Sequence, residues 1–122
     1  MINQEKHSAM KYISQRINKH CFEIKKIADA LVEAQYNNPK SSLNQPFDSA
    51  KSIMLKTVIM NLAKTYESIR NDVEKIADVK GVNFEKMFPK LDINFETYYT
   101  IAISMLNLIY QLQYMKIYCQ TL

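Results

Sequence analysis

Histidine and cysteine are the side chains of this sequence that are best suited to catalysis, and its 122 residues contain two of each. His20 falls at a core position of the first predicted helix, where a lone histidine is usually a hydrogen-bonded core residue. The functional alternative is a general acid or base. Neither His7 nor His20 belongs to a Glu-x-x-His, His-Glu-x-x-His or Asp-rich pattern, so we expect no metal site. With one glycine in the chain, a glycine-rich phosphate loop is excluded, and we expect no cofactor.

The run Arg16-Ile17-Asn18-Lys19-His20 resembles the Arg-x(4–6)-His motif of the HEPN family of helical-bundle nucleases. In that family the arginine and the histidine act together on RNA. Here three residues separate the two, which is one fewer than the family's shortest spacing, and the pair lies early in the chain rather than late. The resemblance implies a ribonuclease with Arg16 and His20 as its catalytic pair.

No Ser or Cys nucleophile can be placed beside a base and an orienting acid, and our first interpretation is a protein that is not an enzyme.

The two cysteines, Cys21 and Cys119, lie 98 positions apart and form no Cys-x-x-Cys motif. Free thiols are the ordinary state in a reducing cytoplasm.

The first ten residues lack the apolar segment of a secretory signal, so we expect a cytoplasmic protein. Residues 97–115 contain no charge, but six polar side chains interrupt them. That density of polar groups favours a buried helix over a membrane span.

The elements that position these residues are helices. The chain has one glycine and three prolines, where average usage would give roughly eight and six. That deficit excludes sandwiches, barrels and Rossmann-type folds, which use glycine in their turns and phosphate loops. Apolar residues at three- and four-residue steps predict three long helices, over about 4–35, about 49–80 and from about 94 to the end, with a loop at 36–48.

Local signals predict where these helices begin and end. Asp48 is the expected N-cap of the second helix, and Gly81 stands where a left-handed residue would follow it. Asn83 is expected to cap one short helical turn that ends at Phe88, because Pro89 disfavours helix before it. In the second helix we expect a covered N-terminal half and, in the C-terminal half, a row of outward charges. The extra apolar residues of the first half are Ile53, Met54, Val58 and Met60, and the outward charges are Glu67, Arg70, Asp72, Glu74, Lys75 and Asp78.

These elements predict a single all-α domain over residues 1–122, an elongated bundle of three long helices and one short helix. The last helix has a seam that ends at Cys119 and Leu122 and carries apolar residues around the rest of its surface. Three rods cannot cover a helix that is apolar on all sides, so we expect a homodimer or a docked partner.

Tyrosines of the last helix are the predicted protein-binding residues, because tyrosine combines a large apolar ring with a polar tip and is favoured at interfaces. We expect Tyr110 and Tyr114 to anchor the contact. The first interpretation is therefore a small non-catalytic protein that docks onto a larger macromolecule, as an inhibitor, immunity, antitoxin-like or adaptor protein. The predicted binding residues are Tyr99, Tyr110, Tyr114 and Tyr118.

A second interpretation is nucleic-acid binding. The first 26 residues hold six bases and two acids, so they carry the whole net charge of +4. Lys11, Lys19 and Lys26 fall opposite the apolar stripe of the first helix, and Phe22 lies among them. Lysines neutralise phosphates and an aromatic ring stacks on unpaired bases, as in a nucleic-acid-binding small subunit or regulator. The last helix loosely resembles those of small helical subunits of CRISPR effector complexes, which line a nucleic-acid backbone.

Overall fold

A computed structural model of the protein describes residues 2–37, 44–79, 81 and 83–121. They form four helices and, in these ranges, no strand. The predicted all-α class is confirmed. The predicted end of the second helix at Lys80, the seam position at Leu122 and loop residues 38–43 lie outside the described residues. The helices are α1 (Ile2–Asn37), α2 (Ile53–Val79), α3 (Phe84–Met87) and α4 (Tyr98–Thr121).

The hydrophobic core lies where α1, α2 and α4 contact one another, with α1 packed chiefly on α4. Each long helix contributes one buried stripe with the three-four spacing of a helix face, as the sequence predicts. The stripe of α4 includes Met105, Leu108 and Leu112, all at most 1% exposed. The stripes of the other two helices are Ile13, Ile17, Cys21, Ile24 and Ala28 in α1, and Ile59, Leu62, Tyr66, Ile69, Val73 and Ala77 in α2.

Helix α2 begins four residues later than its predicted start at residue 49. The Asp48 carboxylate accepts hydrogen bonds from the backbone N–H groups of Ala50 (3.0 Å) and Lys51 (3.3 Å). The Asp48 carbonyl also accepts one from the N–H of Ser52 at 3.0 Å. Asp48 therefore organises a separate turn, and the helix begins after it at Ile53.

Helix α4 also begins later than predicted, at Tyr98 instead of near Asn94. Thr97 and Thr100 exchange hydrogen bonds, because each hydroxyl accepts from the backbone N–H of the other at 2.8–3.0 Å. This reciprocal pairing satisfies N–H groups at the start of a helix, as a capping box does. The Asn94 side chain instead accepts from the N–H of Glu96 at 2.9 Å, within the segment that leads to the helix.

The segments that precede α2 and α4 are joined to each other. The N–H of Phe47 donates to the carbonyl of Glu96 at 3.0 Å, and that of Tyr98 donates to the carbonyl of Gln45 at 3.3 Å. The Phe47 ring packs edge-on against Tyr98, with centroids 5.4 Å apart. This junction fixes the N-terminal end of α4 beside the entrance to α2.

The short helix α3 follows its prediction closely. The Asn83 side chain accepts a hydrogen bond from the N–H of Lys86 at 3.3 Å, and Phe84 and Phe88 are buried. Gly81 has a φ of +69°, the left-handed conformation that its position predicts.

Two predictions about α2 are wrong. Arg70, expected to point outward, is wholly buried, because its guanidinium lies beneath α3 and bonds to Phe88. The N-terminal half of the helix, expected to be covered on more than one side, is open. Its extra apolar side chains are exposed to 64% at Ile53, 84% at Met54, 42% at Val58 and 43% at Met60.

No helix among the residues that the structure describes is long and apolar enough to cross a membrane.

Candidate functional site

One side of α4 is an exposed apolar surface that runs along most of the helix. At about 100° of rotation per residue, six of its side chains fall within an arc of about 80°, opposite the buried stripe. Each of the six is between 39% and 66% exposed. This surface is named the α4 stripe below, and its members are Tyr99, Ile103, Leu106, Tyr110, Tyr114 and Ile117.

The C-terminal half of the α4 stripe is ordered by aromatic contacts. The rings of Tyr110 and Tyr114 are stacked, with centroids 6.4 Å apart and planes at 26°. The Tyr114 ring also meets the buried Phe88 ring edge-on at 5.6 Å. Together with Met87 and Gln111 the two tyrosines line a shallow depression of about 280 Å³. Rings held in place before contact lose less conformational entropy when a partner covers them.

Tyr118, predicted as a fourth binding tyrosine, occupies a different environment. It is half-buried, and its ring packs against Phe88 with centroids 5.6 Å apart. Its hydroxyl is buried without a hydrogen-bond partner, and desolvation raises the pKa of that hydroxyl. Tyr118 therefore lies beside the α4 stripe, at the boundary with the core, whereas Tyr99, Tyr110 and Tyr114 are open to solvent.

Ile103, Leu106 and Ile117 belong to the α4 stripe, although they are not among the predicted binding residues. They continue the spacing of the tyrosines, since residues 99, 103, 106 and 110 follow steps of four, three and four. A second three-four pattern on a helix that already has one is the signal for a two-faced helix. The stronger three-four pattern of α4 runs through Met105 and Leu108, and beside it Ile103 and Leu106 resemble general apolar surface.

The residues of the predicted nucleic-acid surface share one exposed face of α1. Phe22 is 64% exposed, and Lys11, Lys19 and Lys26 are exposed as well. The ammonium of Lys26 lies 5.6 Å from the centroid of the Phe22 ring, within the range of a cation–π contact. The four predicted side chains thus share the side of α1 that faces away from the core, and of these Phe22 and Lys26 are in contact.

Arg16 and His20, the pair that resembles the HEPN motif, both connect α1 to α2. His20 is 2% exposed, and its Nε2 lies 2.8 Å from the carbonyl oxygen of Leu62. Desolvation by burial lowers the pKa of His20, and the Glu23 carboxylate, 3.7 Å from Nδ1, opposes that shift. Because a carbonyl oxygen only accepts, Nε2 is the donor in this hydrogen bond. The guanidinium of Arg16 donates to the Asp72 carboxylate and, at 3.2 Å, to the Ser68 hydroxyl. These contacts match the expectation of a hydrogen-bonded core histidine.

The cysteines are both free and buried. Desolvation raises the pKa of Cys119 to about 11 and also raises the pKa of Cys21. A thiol with a raised pKa is a poor nucleophile at neutral pH. Within the ranges that the structure describes, no group of three or more His, Cys, Asp or Glu side chains is placed to hold a metal ion.

Comparison with protein-family models, with curated proteins and with solved structures gave no match. A candidate function for this chain therefore rests on its own geometry. Among the helix faces of the described residues, the α4 stripe is the longest exposed apolar surface.

Proposed function

We propose that this protein is a small, non-catalytic, cytoplasmic binding protein that docks onto a larger protein partner through the α4 stripe. Inhibitor, immunity, antitoxin-like and adaptor proteins act in this way, by occupying a surface of another molecule. In the proposed architecture α1, α2 and α4 form an elongated bundle, and the α4 stripe lies on the outer surface of that bundle.

The observation that carries this proposal is the continuous exposure of six large apolar side chains on one side of α4, opposite its buried stripe. Contiguous apolar patches beyond a few hundred Å² are uncommon on monomeric proteins and mark interaction sites. No charged residue occurs between positions 97 and 115, and interface centres are depleted in charge. Tyrosine is also among the residues that most often dominate binding energy.

Tyr110 and Tyr114 are the proposed anchors of the interface. They are 66% and 52% exposed, so they have area to lose on binding, and their mutual stacking holds them in place. Alanine at both positions should weaken a complex. In protein too dilute to self-associate, it should lower the melting temperature only by the loss of the Tyr114–Phe88 ring contact.

The test places a photo-crosslinking amino acid, benzoylphenylalanine, at position 110 in cells that express the chain. Leu106→Glu, which adds a charge to the middle of the α4 stripe, is compared with Met54→Glu. The second change is a matched control, because Met54 is 84% exposed on α2. We expect crosslinks to a different protein, lost with Leu106→Glu and retained with Met54→Glu. Equal capture by both variants, or crosslinks to a second copy of this chain alone, would contradict the proposal.

A second candidate function is binding of single-stranded nucleic acid by α1. The favouring observation is the exposed Phe22 ring with Lys26 beside it and Lys19 on the same face. Backbone neutralisation by lysines makes affinity fall steeply with salt, and base stacking adds about 1–3 kcal/mol for each base. We expect a labelled single-stranded oligonucleotide to bind at low salt, and Lys19→Glu with Lys26→Glu to abolish binding. Absence of binding at low salt would eliminate this function.

A further inference from the structure

We infer that, in the free protein, the α4 stripe is covered by the α4 stripe of a second copy, packed antiparallel about a two-fold axis. The inference rests on the proposed function of the same face, since it names what covers that face when no larger partner is bound. Three properties of the α4 stripe support a second copy as the occupant: its area, its order of side chains and its lack of charge.

The exposed area is close to what a stable dimer requires. The α4 stripe spans about 27 Å of helix, from Tyr99 to Ile117. Multiplying the exposed fractions of its six side chains by about 150–250 Å² for a large side chain gives about 500–800 Å² for each protomer. A specific interface of standard size buries about 800 Å² of each partner. Two stripes in contact would therefore approach a standard interface before any flanking residue is counted.

The order of side chains makes the α4 stripe complementary to itself in the antiparallel direction. With the two-fold axis level with residue 108, Leu106 of one copy faces Tyr110 of the other. In the same register Tyr99 faces Ile117, and Ile103 lies within one residue's rise, about 1.5 Å, of Tyr114. Every tyrosine thus meets an aliphatic side chain, and facing large and small side chains interdigitate well.

A parallel arrangement lacks this complementarity. It would place each tyrosine against the same tyrosine of the other copy and would align the two helix dipoles. The antiparallel arrangement opposes the dipoles. Because all six side chains of the α4 stripe are uncharged, neither ion pairs nor like-charge contacts arise between facing members of the two stripes. The packing of side chains and the placement of the tyrosine rings therefore decide whether the two α4 helices pack parallel or antiparallel.

This arrangement regulates the docking face. A dimer hides the α4 stripe, so a larger partner must compete with the second copy for it. The apparent affinity for that partner then falls as the concentration of the protein rises, since only the protomer with an open face binds. Dilution exposes the α4 stripe, and accumulation of the protein masks it.

The first experiment measures mass in solution by sedimentation equilibrium. We expect the wild type to reach twice the chain mass of 14.3 kDa. Leu106→Glu and Tyr110→Lys each place an unpaired charge at the seam and should each weaken association by roughly a hundredfold. Met54→Glu should remain dimeric. Circular dichroism of each variant verifies that the helices are retained, as expected for substitutions of exposed residues.

The second experiment mixes the two charged variants. In the antiparallel register, residue 106 of one copy faces residue 110 of the other, so a Leu106→Glu protomer and a Tyr110→Lys protomer restore one native contact and form one Glu–Lys pair. We expect the mixture to recover association that neither variant shows alone. In a parallel dimer each variant alone would face its own charge, so mixing would relieve like-charge repulsion but would restore neither the native Leu–Tyr contact nor a directly facing Glu–Lys pair, and the recovery would be smaller.

The outcomes separate this inference from the proposed function. A wild type that stays monomeric at hundreds of micromolar, or a mixture that fails to associate, would overturn the inference and leave docking of a larger partner untouched. A wild-type dimer whose photo-crosslinks from position 110 reach no other protein in the cell would support the inference and overturn the proposed docking function.

Discussion

The guanidinium of Arg70 is wholly buried and donates two hydrogen bonds to the carbonyl oxygen of Phe88, from Nε at 3.1 Å and from Nη2 at 2.7 Å. Its Nη2 also lies 3.3 Å from a carboxylate oxygen of Glu85. The guanidinium carbon lies 5.0 Å from the centroid of the Phe84 ring. One side chain of α2 therefore fixes α3 and the residue that follows it.

Replacing Arg70 should destabilise the protein, because the buried carbonyl of Phe88 would lose its donors. We expect Arg70→Met to lower the free energy of unfolding by about 1.5–3 kcal/mol, the range for hydrogen bonds that involve a charged group. Urea denaturation measures the change. Arg70→Lys should not restore stability, because an ammonium lacks the planar fork of a guanidinium. A Met variant as stable as the wild type would mean that Arg70 does not anchor α3.

Acidification should destabilise the protein through His20. Desolvation lowers the pKa of His20 below its ordinary value of 6.5. A histidine whose pKa is lower in the folded state takes up a proton more readily when unfolded. Its contribution to stability is therefore complete above about pH 6.5 and declines as the pH falls below that value toward the folded pKa.

Chemical denaturation between pH 7.5 and pH 5 measures the His20 effect. His20→Gln is the control, since an amide side chain stays neutral and retains an N–H donor for the carbonyl of Leu62. We expect the wild type to lose more stability than the variant across this interval. Parallel pH profiles for the two proteins would show that His20 does not carry the dependence.

Two leucines of α4 provide a matched test of its two faces. Leu108 is 1% exposed and Leu106 is 51% exposed. Leu108→Ala should lower the free energy of unfolding by about 2–5 kcal/mol, because it leaves a cavity in the core. Leu106→Ala should change it by no more than about 0.5 kcal/mol in dilute protein, where no second copy covers the side chain. A similar loss of unfolding free energy for both variants would show that Leu106 belongs to the core.

The cysteines should react slowly while the protein is folded. With its pKa at about 11, Cys119 is thiolate in about one molecule in a thousand at pH 8, and the thiolate is the reactive form. We expect a colorimetric disulfide reagent to modify both thiols far more slowly in buffer than in concentrated urea. Immediate reaction of two thiols in the native protein would be incompatible with their burial.

Much of the fold is readable from the sequence, because the burial of a helix follows its apolar spacing. The three- and four-residue apolar steps over about 49–80 and from about 94 to the end predict helices with one buried face, and that face is formed by Ile59, Leu62 and Tyr66 in α2 and by Met105 and Leu108 in α4. The short helix after Asn83 is also predictable, since its cap, its aromatic residues and Pro89 are all local signals.

The remainder depends on contacts between distant residues, which spacing does not reveal. Arg70 lies on the charged side of α2 and is buried because α3 folds over it. The late start of α2 follows from a turn around Asp48, whose carboxylate binds the N–H groups of that turn instead of those of the helix. In the candidate site, the tyrosines are predictable because tyrosine is a residue type favoured at interfaces. Ile103 and Leu106 are identified once the residues of the buried face of α4 are distinguished from those of its exposed face.

The packing of α1 chiefly against α4 has a consequence for synthesis on the ribosome. The first long helix is made early, and the one that covers its apolar side follows α2 and α3. Until α4 has left the exit tunnel, Ile17 and Ile24 have no α4 to bury them, and the nascent chain must rely on α2 or on a chaperone to shield them.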